Sequence, residues 1–209
     1  MRLQLALDAP EHLSLVRRLA PHVDLIEVGT PLLKRFGLAV VTTVLELGGG
    51  RDVVVDTKTA DGGALEAEMV FAAGARMMTV LAGAAPATVE AASRVAARHG
   101  CQVVLDTVLE DPATLPRLPR RGSGAGEVWV GLHRGVDRRA AGPVADLVGR
   151  AQELRRRGYR IAVAGGIGPA DVEHVIEARP DVIVLGSAVT AAADPEPVLA
   201  LLAEKVAAR

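Results

Sequence analysis

Eight short apolar runs, each separated from the next by a longer amphipathic stretch, leave this chain few ways to fold. The runs are Leu3–Asp8, Leu25–Val28, Val53–Asp56, Met77–Leu81, Gln102–Asp106, Val128–His133, Ile161–Ala164 and Val182–Leu185. Their length suits strands, and many close on a polar residue or a glycine. Helical patterns lie between them, among them Pro86–His99, Ala141–Arg157, Pro169–Ala178 and Glu196–Ala208. Two of these open with proline, whose missing N–H is tolerated in a first turn. Strict alternation of strand and helix implies parallel strands joined by crossover helices. The spacing predicts a single-domain (β/α)8 TIM barrel over residues 1–209, with an open doubly wound sheet as the alternative. Polar residues end strands all along the chain rather than at one switch point, which favours closure.

Composition narrows the class further. Half the residues are hydrophobic and only 2% aromatic, so the core must be built from Ala, Val, Leu and Ile. A net charge of -1 argues against nucleic acid as the main partner. The single cysteine, Cys101, excludes an intrachain disulfide and any multi-cysteine zinc site. The first residues reach an acid, Asp8, too early for a signal peptide, and no apolar run approaches the roughly 20 residues that span a bilayer. A cytoplasmic enzyme without a membrane partner is expected. The one irregular region is Pro112 to Gly126, whose three prolines predict a short helix and then a basic loop.

In such barrels the functional groups gather where the strands end. The strand ends supply Asp8, Glu27, Asp56 with Lys58 and Asp61, Thr79, Asp106, His133, Gly165-Gly166 and Gly186-Ser187. The strongest signal is Val-Val-Val-Asp-Thr-Lys-Thr-Ala-Asp-Gly-Gly at 53–63. Alternation along a strand puts Val54, Asp56 and Lys58 on one face, with Asp61 in the following turn. A lysine between carboxylates stays charged and is equipped to stabilise an oxyanion or pass a proton. The plainer reading is an ion pair at a strand end. Glu27 closes a buried strand, where a carboxylate is costly unless paired or bound to a cation. With Asp56 it offers two carboxylates to a magnesium ion, which favours few protein ligands plus water and substrate oxygens. Asp8 has the same placement. His133 ends the sixth run and faces the acids. The glycines of Gly165-Gly166 and Gly186-Ser187 end the last two strands, a common place for a phosphate held by backbone N–H groups.

These residues carry a resemblance. Asp56-x-Lys58-x-x-Asp61 identifies the chain as similar to the orotidine-monophosphate-decarboxylase-like barrel suprafamily. Within it, Leu3 to Asp8, Ile26 to Pro31, Asp56 to Gly63, Val163 to Ile167 and Gly186 to Pro195 most resemble the 3-hexulose-6-phosphate synthase branch. The resemblance runs nearly end to end. It implies a lyase: a magnesium-dependent aldol condensation of formaldehyde with ribulose 5-phosphate through an enediolate. It also implies that Glu27 and Asp56 bind Mg2+ and that Lys58 and Asp8 support the substrate hydroxyls and the enediolate. His133 and Asp61 are the candidates for proton transfer, and Gly165, Gly166, Gly186 and Ser187 for holding the phosphate. A homodimer with active sites at the interface is implied as well. The alternatives are a 3-keto-gulonate-6-phosphate decarboxylase-like enzyme and a non-catalytic phosphosugar-binding relative. The chain departs from the synthase pattern at His133-Arg134-Gly135-Val136-Asp137, where the branch usually reads His-Thr-Gly-Tyr-Asp. The decarboxylases carry an arginine where Val136 stands.

Overall fold

Strands β1 (Arg2–Leu7), β2 (Leu25–Val28), β3 (Asp52–Thr59), β4 (Met77–Leu81), β5 (Gln102–Asp106), β6 (Val128–His133), β7 (Arg160–Ala164) and β8 (Val182–Leu185) hydrogen-bond in chain order and close. Every pairing is parallel, including that of β1 with β8. This is the expected (β/α)8 barrel. The computed structural model describes residues 1–108, 111, 115, 128–135, 137 and 145–208. Of the irregular region from Pro112 to Gly126 only Leu115 falls among these, so the short helix and basic loop expected there lie outside the described residues.

Helices α1 (Val16–Leu19), α2 (Thr30–Phe36), α3 (Ala39–Leu47), α4 (Gly63–Ala72), α5 (Pro86–His99), α6 (Ala145–Arg156), α7 (Val172–Glu177), α8 (Ser187–Thr190) and α9 (Pro195–Ala207) follow or flank the strands. The aliphatic composition builds two layers. Residues such as Leu5, Leu7, Ile26, Val53, Val55, Val103 and Leu105 point outward and are fully covered by helices. Ala6, Leu25, Val54, Met77, Val104, Trp129, Ala162, Val182 and Val184 fill the barrel interior. Each large aliphatic side chain so buried contributes roughly 1.5–3 kcal/mol. Small residues also matter. A Cβ on Gly63 would lie 2.2 Å from the carbonyl oxygen of Thr88, so glycine lets α4 and α5 pack backbone to backbone.

Trp129 is the exception to the aliphatic interior. It is 1% exposed, and its indole N–H has no hydrogen-bond partner. Near the start of β6, it closes the barrel towards its amino-terminal end. Among the described residues no helix is long and apolar enough to cross a membrane.

Candidate active site

The strand that carries the strongest motif is longer than its apolar run, and irregular. Val55 pairs with Met78 but Thr59 pairs with Val80, so β3 spends four residues where β4 spends two. Inserting two residues preserves the alternation, and Val54, Asp56 and Lys58 all reach the cavity inside the barrel mouth. The insertion is absorbed at Lys58, whose φ of 49° lies in the left-handed region. For a residue with a Cβ that conformation costs roughly 1–2 kcal/mol. The bulge is pinned by the Lys58 N–H, which donates to Thr79 Oγ1 at 2.9 Å.

The Lys58 ammonium sits between two carboxylates. Its Nζ is 3.1 Å and 3.0 Å from the two oxygens of Asp56 and 2.6 Å from Asp106 Oδ2. Thr79 donates to Asp56 Oδ1 at 2.8 Å, and the Thr30 hydroxyl lies 2.8 Å from Asp56 Oδ2 and 2.6 Å from its backbone oxygen. Asp106 accepts from the Val108 N–H at 2.9 Å and faces His133 Nδ1 at 3.2 Å. Burial works against the charge on Lys58, but Asp56 and Asp106 outweigh it and raise the ammonium above its usual range. Burial likewise opposes ionisation of Asp106, and His133 and Lys58 reverse that, holding it below the usual carboxylate range. With Asp106 ionised, the His133 Nδ1 proton is directed at it, which leaves Nε2 as the basic nitrogen.

Glu27 is under the opposite pressure. Burial, followed by the charges of Asp56 and Asp8, pushes its carboxyl up to about 8 despite a hydrogen bond from the Gln4 amide and the attraction of Lys58. Three carboxyl groups thus crowd one end of the cavity with a single ammonium to offset them. That excess of negative charge fits a divalent cation held by Glu27 and Asp56. Among the described residues no three His, Cys, Asp or Glu side chains are gathered as a complete ligand set. Magnesium tolerates this, since one or two carboxylates with water and substrate oxygens suffice for it.

The cavity, about 530 Å³, is lined by Asp8, Glu27, Asp56, Lys58, Asp106 and His133, and by Gly165, Gly166 and Gly186. Gly165 has φ 111°, and a Cβ there would stand 2.3 Å from the Arg134 carbonyl oxygen. Gly166 has φ 71°. Both need glycine, and their backbone borders the cavity. Arg134, in the departing loop, donates from Nε to the Gly165 carbonyl at 3.1 Å. Val136 and Arg138 to Arg139 lie outside the described residues.

Two expected site residues stand apart. Asp61 is exposed in the turn after β3, and Ser187 is exposed at the start of α8; neither lines the cavity within this chain. Four residues without a sequence-based role belong to the network: Gln4 on Glu27, Thr30 and Thr79 on Asp56, and Asp106 as the second carboxylate on Lys58. Alternation from Val104 places Asp106 on the interior face, a signal present in the sequence. Its contact with a residue on β3 is not.

Asp8 is positioned by an absent side chain. A Cβ on Gly29 would stand 2.1 Å from Asp8 Oδ1 and 2.9 Å from the Leu7 carbonyl oxygen. Gly29→Ala is therefore expected to displace the β1 terminus at a cost of about 1–3 kcal/mol. Thermal unfolding measures it, and an unchanged midpoint would show that the two loops separate freely.

A closed parallel barrel with buried acids, a lysine and a histidine at its carboxyl-terminal mouth is an enzyme scaffold. Comparison with known proteins gives the particular lineage. The chain belongs to the orotidine 5'-phosphate decarboxylase / HUMPS family, whose model matches residues 1–201. It is 38% identical over 199 residues to 3-hexulose-6-phosphate synthase of Mycobacterium gastri, covering 93% of this chain and 94% of that one. The crystal structure of 3-hexulose-6-phosphate synthase from Salmonella typhimurium superposes with a TM-score of 0.89 at 36% identity, over 100% of this chain and 99% of that one. 3-Keto-L-gulonate-6-phosphate decarboxylase from Vibrio cholerae matches at 27% identity with a TM-score of 0.83, over 99% and 97%. The chain is accordingly an enzyme of the lyase type.

Proposed function

We propose that this enzyme is a 3-hexulose-6-phosphate synthase, joining formaldehyde to ribulose 5-phosphate in the cytoplasm. The observation that carries the reading is the Lys58 ammonium clamped between Asp56 and Asp106 beside His133. The identities to named synthases support it.

The chemistry needs a base, a sink for negative charge and a held phosphate. His133 Nε2 takes the proton from C1 of ribulose 5-phosphate while Asp106 keeps Nδ1 protonated and the ring in place. The resulting enediolate is stabilised by the charge of Lys58. C1 then bonds to the formaldehyde carbon, the carbonyl π pair moves to its oxygen, and His133 returns the proton there. Glu27 and Asp56 would hold a magnesium ion, which supplies further positive charge for the sugar oxygens. Gly165, Gly166 and Gly186 offer backbone to the phosphate, and Asp8 serves a substrate hydroxyl. Asp61, outside the cavity of its own chain, is assigned to the site of a homodimeric partner, where Ser187 has no assigned part.

The test is consumption of formaldehyde with ribulose 5-phosphate, with and without magnesium, beside carbon dioxide release from 3-keto-L-gulonate 6-phosphate. Saturable, magnesium-dependent condensation is expected. A higher kcat/KM for the decarboxylation, or binding of ribulose 5-phosphate without turnover, would replace the proposal.

A further inference from the structure

A second cavity, about 730 Å³, lies at the amino-terminal end of the barrel, opposite the Lys58 site. Its lining includes Arg2 and Arg160, the first residues of β1 and β7, Arg155 in the last turn of α6, and Arg179 just after α7. Two carboxylates, Asp181 and Glu177, share that lining with the four guanidiniums. Asp181 already accepts from the Ile161 N–H at 2.9 Å and pairs loosely with Arg160 at 3.7 Å and Arg155 at 4.0 Å. Among the described residues of the lining, guanidiniums outnumber carboxylates four to two.

Arg179 adds a second, independent observation. Its φ is 50°, the left-handed position after a helix that glycine usually fills. An arginine accepts that strain here, and the Arg155 guanidinium donates to its carbonyl oxygen at 2.6 Å. Strain of this kind concentrates at functional positions. The floor of the cavity is Trp129, with the guanidiniums of Arg2 and Arg160 at 5.0 Å and 5.3 Å from its ring centroid. An indole already engaged by two cations does not offer itself to a nucleotide base. Recognition here is by charge.

We propose that this arginine-lined cavity is a second ligand site, which takes a compact polyanion carrying two phosphoryl groups. Guanidiniums suit phosphoryl oxygens through paired N–H donors. Partial exposure of the arginines makes the affinity fall with added salt. The ligand comes either as free pyrophosphate or as a sugar bisphosphate.

Trp129 is the chain's single tryptophan and lines both cavities, so its emission reports occupancy. The intact protein is titrated with inorganic pyrophosphate and, separately, with fructose 1,6-bisphosphate, at constant ionic strength and without divalent metal. A saturable change is expected, and the tighter of the two probes identifies the source. Arg179→Gly, which suits the backbone, and Arg2→Gln should each weaken the midpoint by about tenfold or more, as expected for losing one charge-assisted contact. His133→Gln, at the other mouth, should leave it unchanged. Loss of the response in His133→Gln with retention in both arginine variants would move the binding to the carboxyl-terminal cavity and overturn the proposal. So would an absent response, or ATP binding far more tightly than inorganic tripolyphosphate.

Discussion

Lys58→Ala is expected to lower kcat by about a thousandfold or more, because the cation it removes faces charge that develops only during reaction. It should also weaken the fold. Asp56 and Asp106 have side chains only 10% and 4% exposed, and both would lose their ammonium. Stranding a buried charge costs up to about 3–5 kcal/mol, less where water enters with the shortened side chain. Two further variants separate these effects. Lys58→Gly removes the same charge but relieves the left-handed backbone, and should be more stable than Lys58→Ala by about 1 kcal/mol. Adding Asp106→Asn to Lys58→Ala removes one stranded charge and should recover stability without recovering turnover. Denaturant unfolding and kcat measure each. Activity within tenfold of the parent in Lys58→Ala would remove the ammonium from the chemistry.

The second large effect is expected at Glu27. Its carboxyl titrates near 8 through burial first and the neighbouring charges of Asp56 and Asp8 second, so at neutral pH without metal it is mostly protonated. Glu27→Gln copies that neutral form in the folded and the unfolded chain alike, so without metal its folding stability should match the parent below about pH 4.5 and exceed it by roughly 3 kcal/mol near pH 7. Activity should nevertheless fall on the order of a hundredfold, with loss of the magnesium requirement. Under the proposed ligation, magnesium would displace the Glu27 proton of the parent protein. Its affinity should therefore climb with pH, by up to about tenfold per unit, and level off above 8. Without magnesium the sign for folding is the reverse. The folded carboxyl has the higher pKa, so its contribution is full below about 4.5 and is lost as pH rises through about 8. Calorimetry in buffers of different ionisation enthalpy reads the released proton. An unchanged magnesium requirement in Glu27→Gln would place the ion elsewhere.

The architecture was largely legible because it rests on periodicity. β2, β4, β5, β6 and β8 begin and end where their apolar runs do, since each run is buried on both faces by its neighbours. β3 outran its apolar run because pairing with β4 resumes at the polar Thr59 beyond the bulge, which hydropathy cannot report. Asp56 and Lys58 were placed on the right face by simple alternation, although the bulge that keeps them there follows from pairing with β4. Asp106 was visible as a strand end, but its role depends on the distance between β3 and β5 across the mouth, which arises only once the barrel closes. Asp61 and Ser187 show the converse. They neighbour lining residues in sequence, but the turns after their strands leave neither lining the cavity of its own chain, and a site shared between two chains is not legible in one sequence.

The bulge in β3 has a consequence for how such an enzyme can change. The Lys58 ammonium is mounted on hydrogen-bonded strand rather than on a loop, pinned at its own amide by Thr79. The charge centre is thereby a fixed datum that does not follow the substrate. Divergence towards new substrates is then expected in the loops around the mouth rather than at the anchored ammonium.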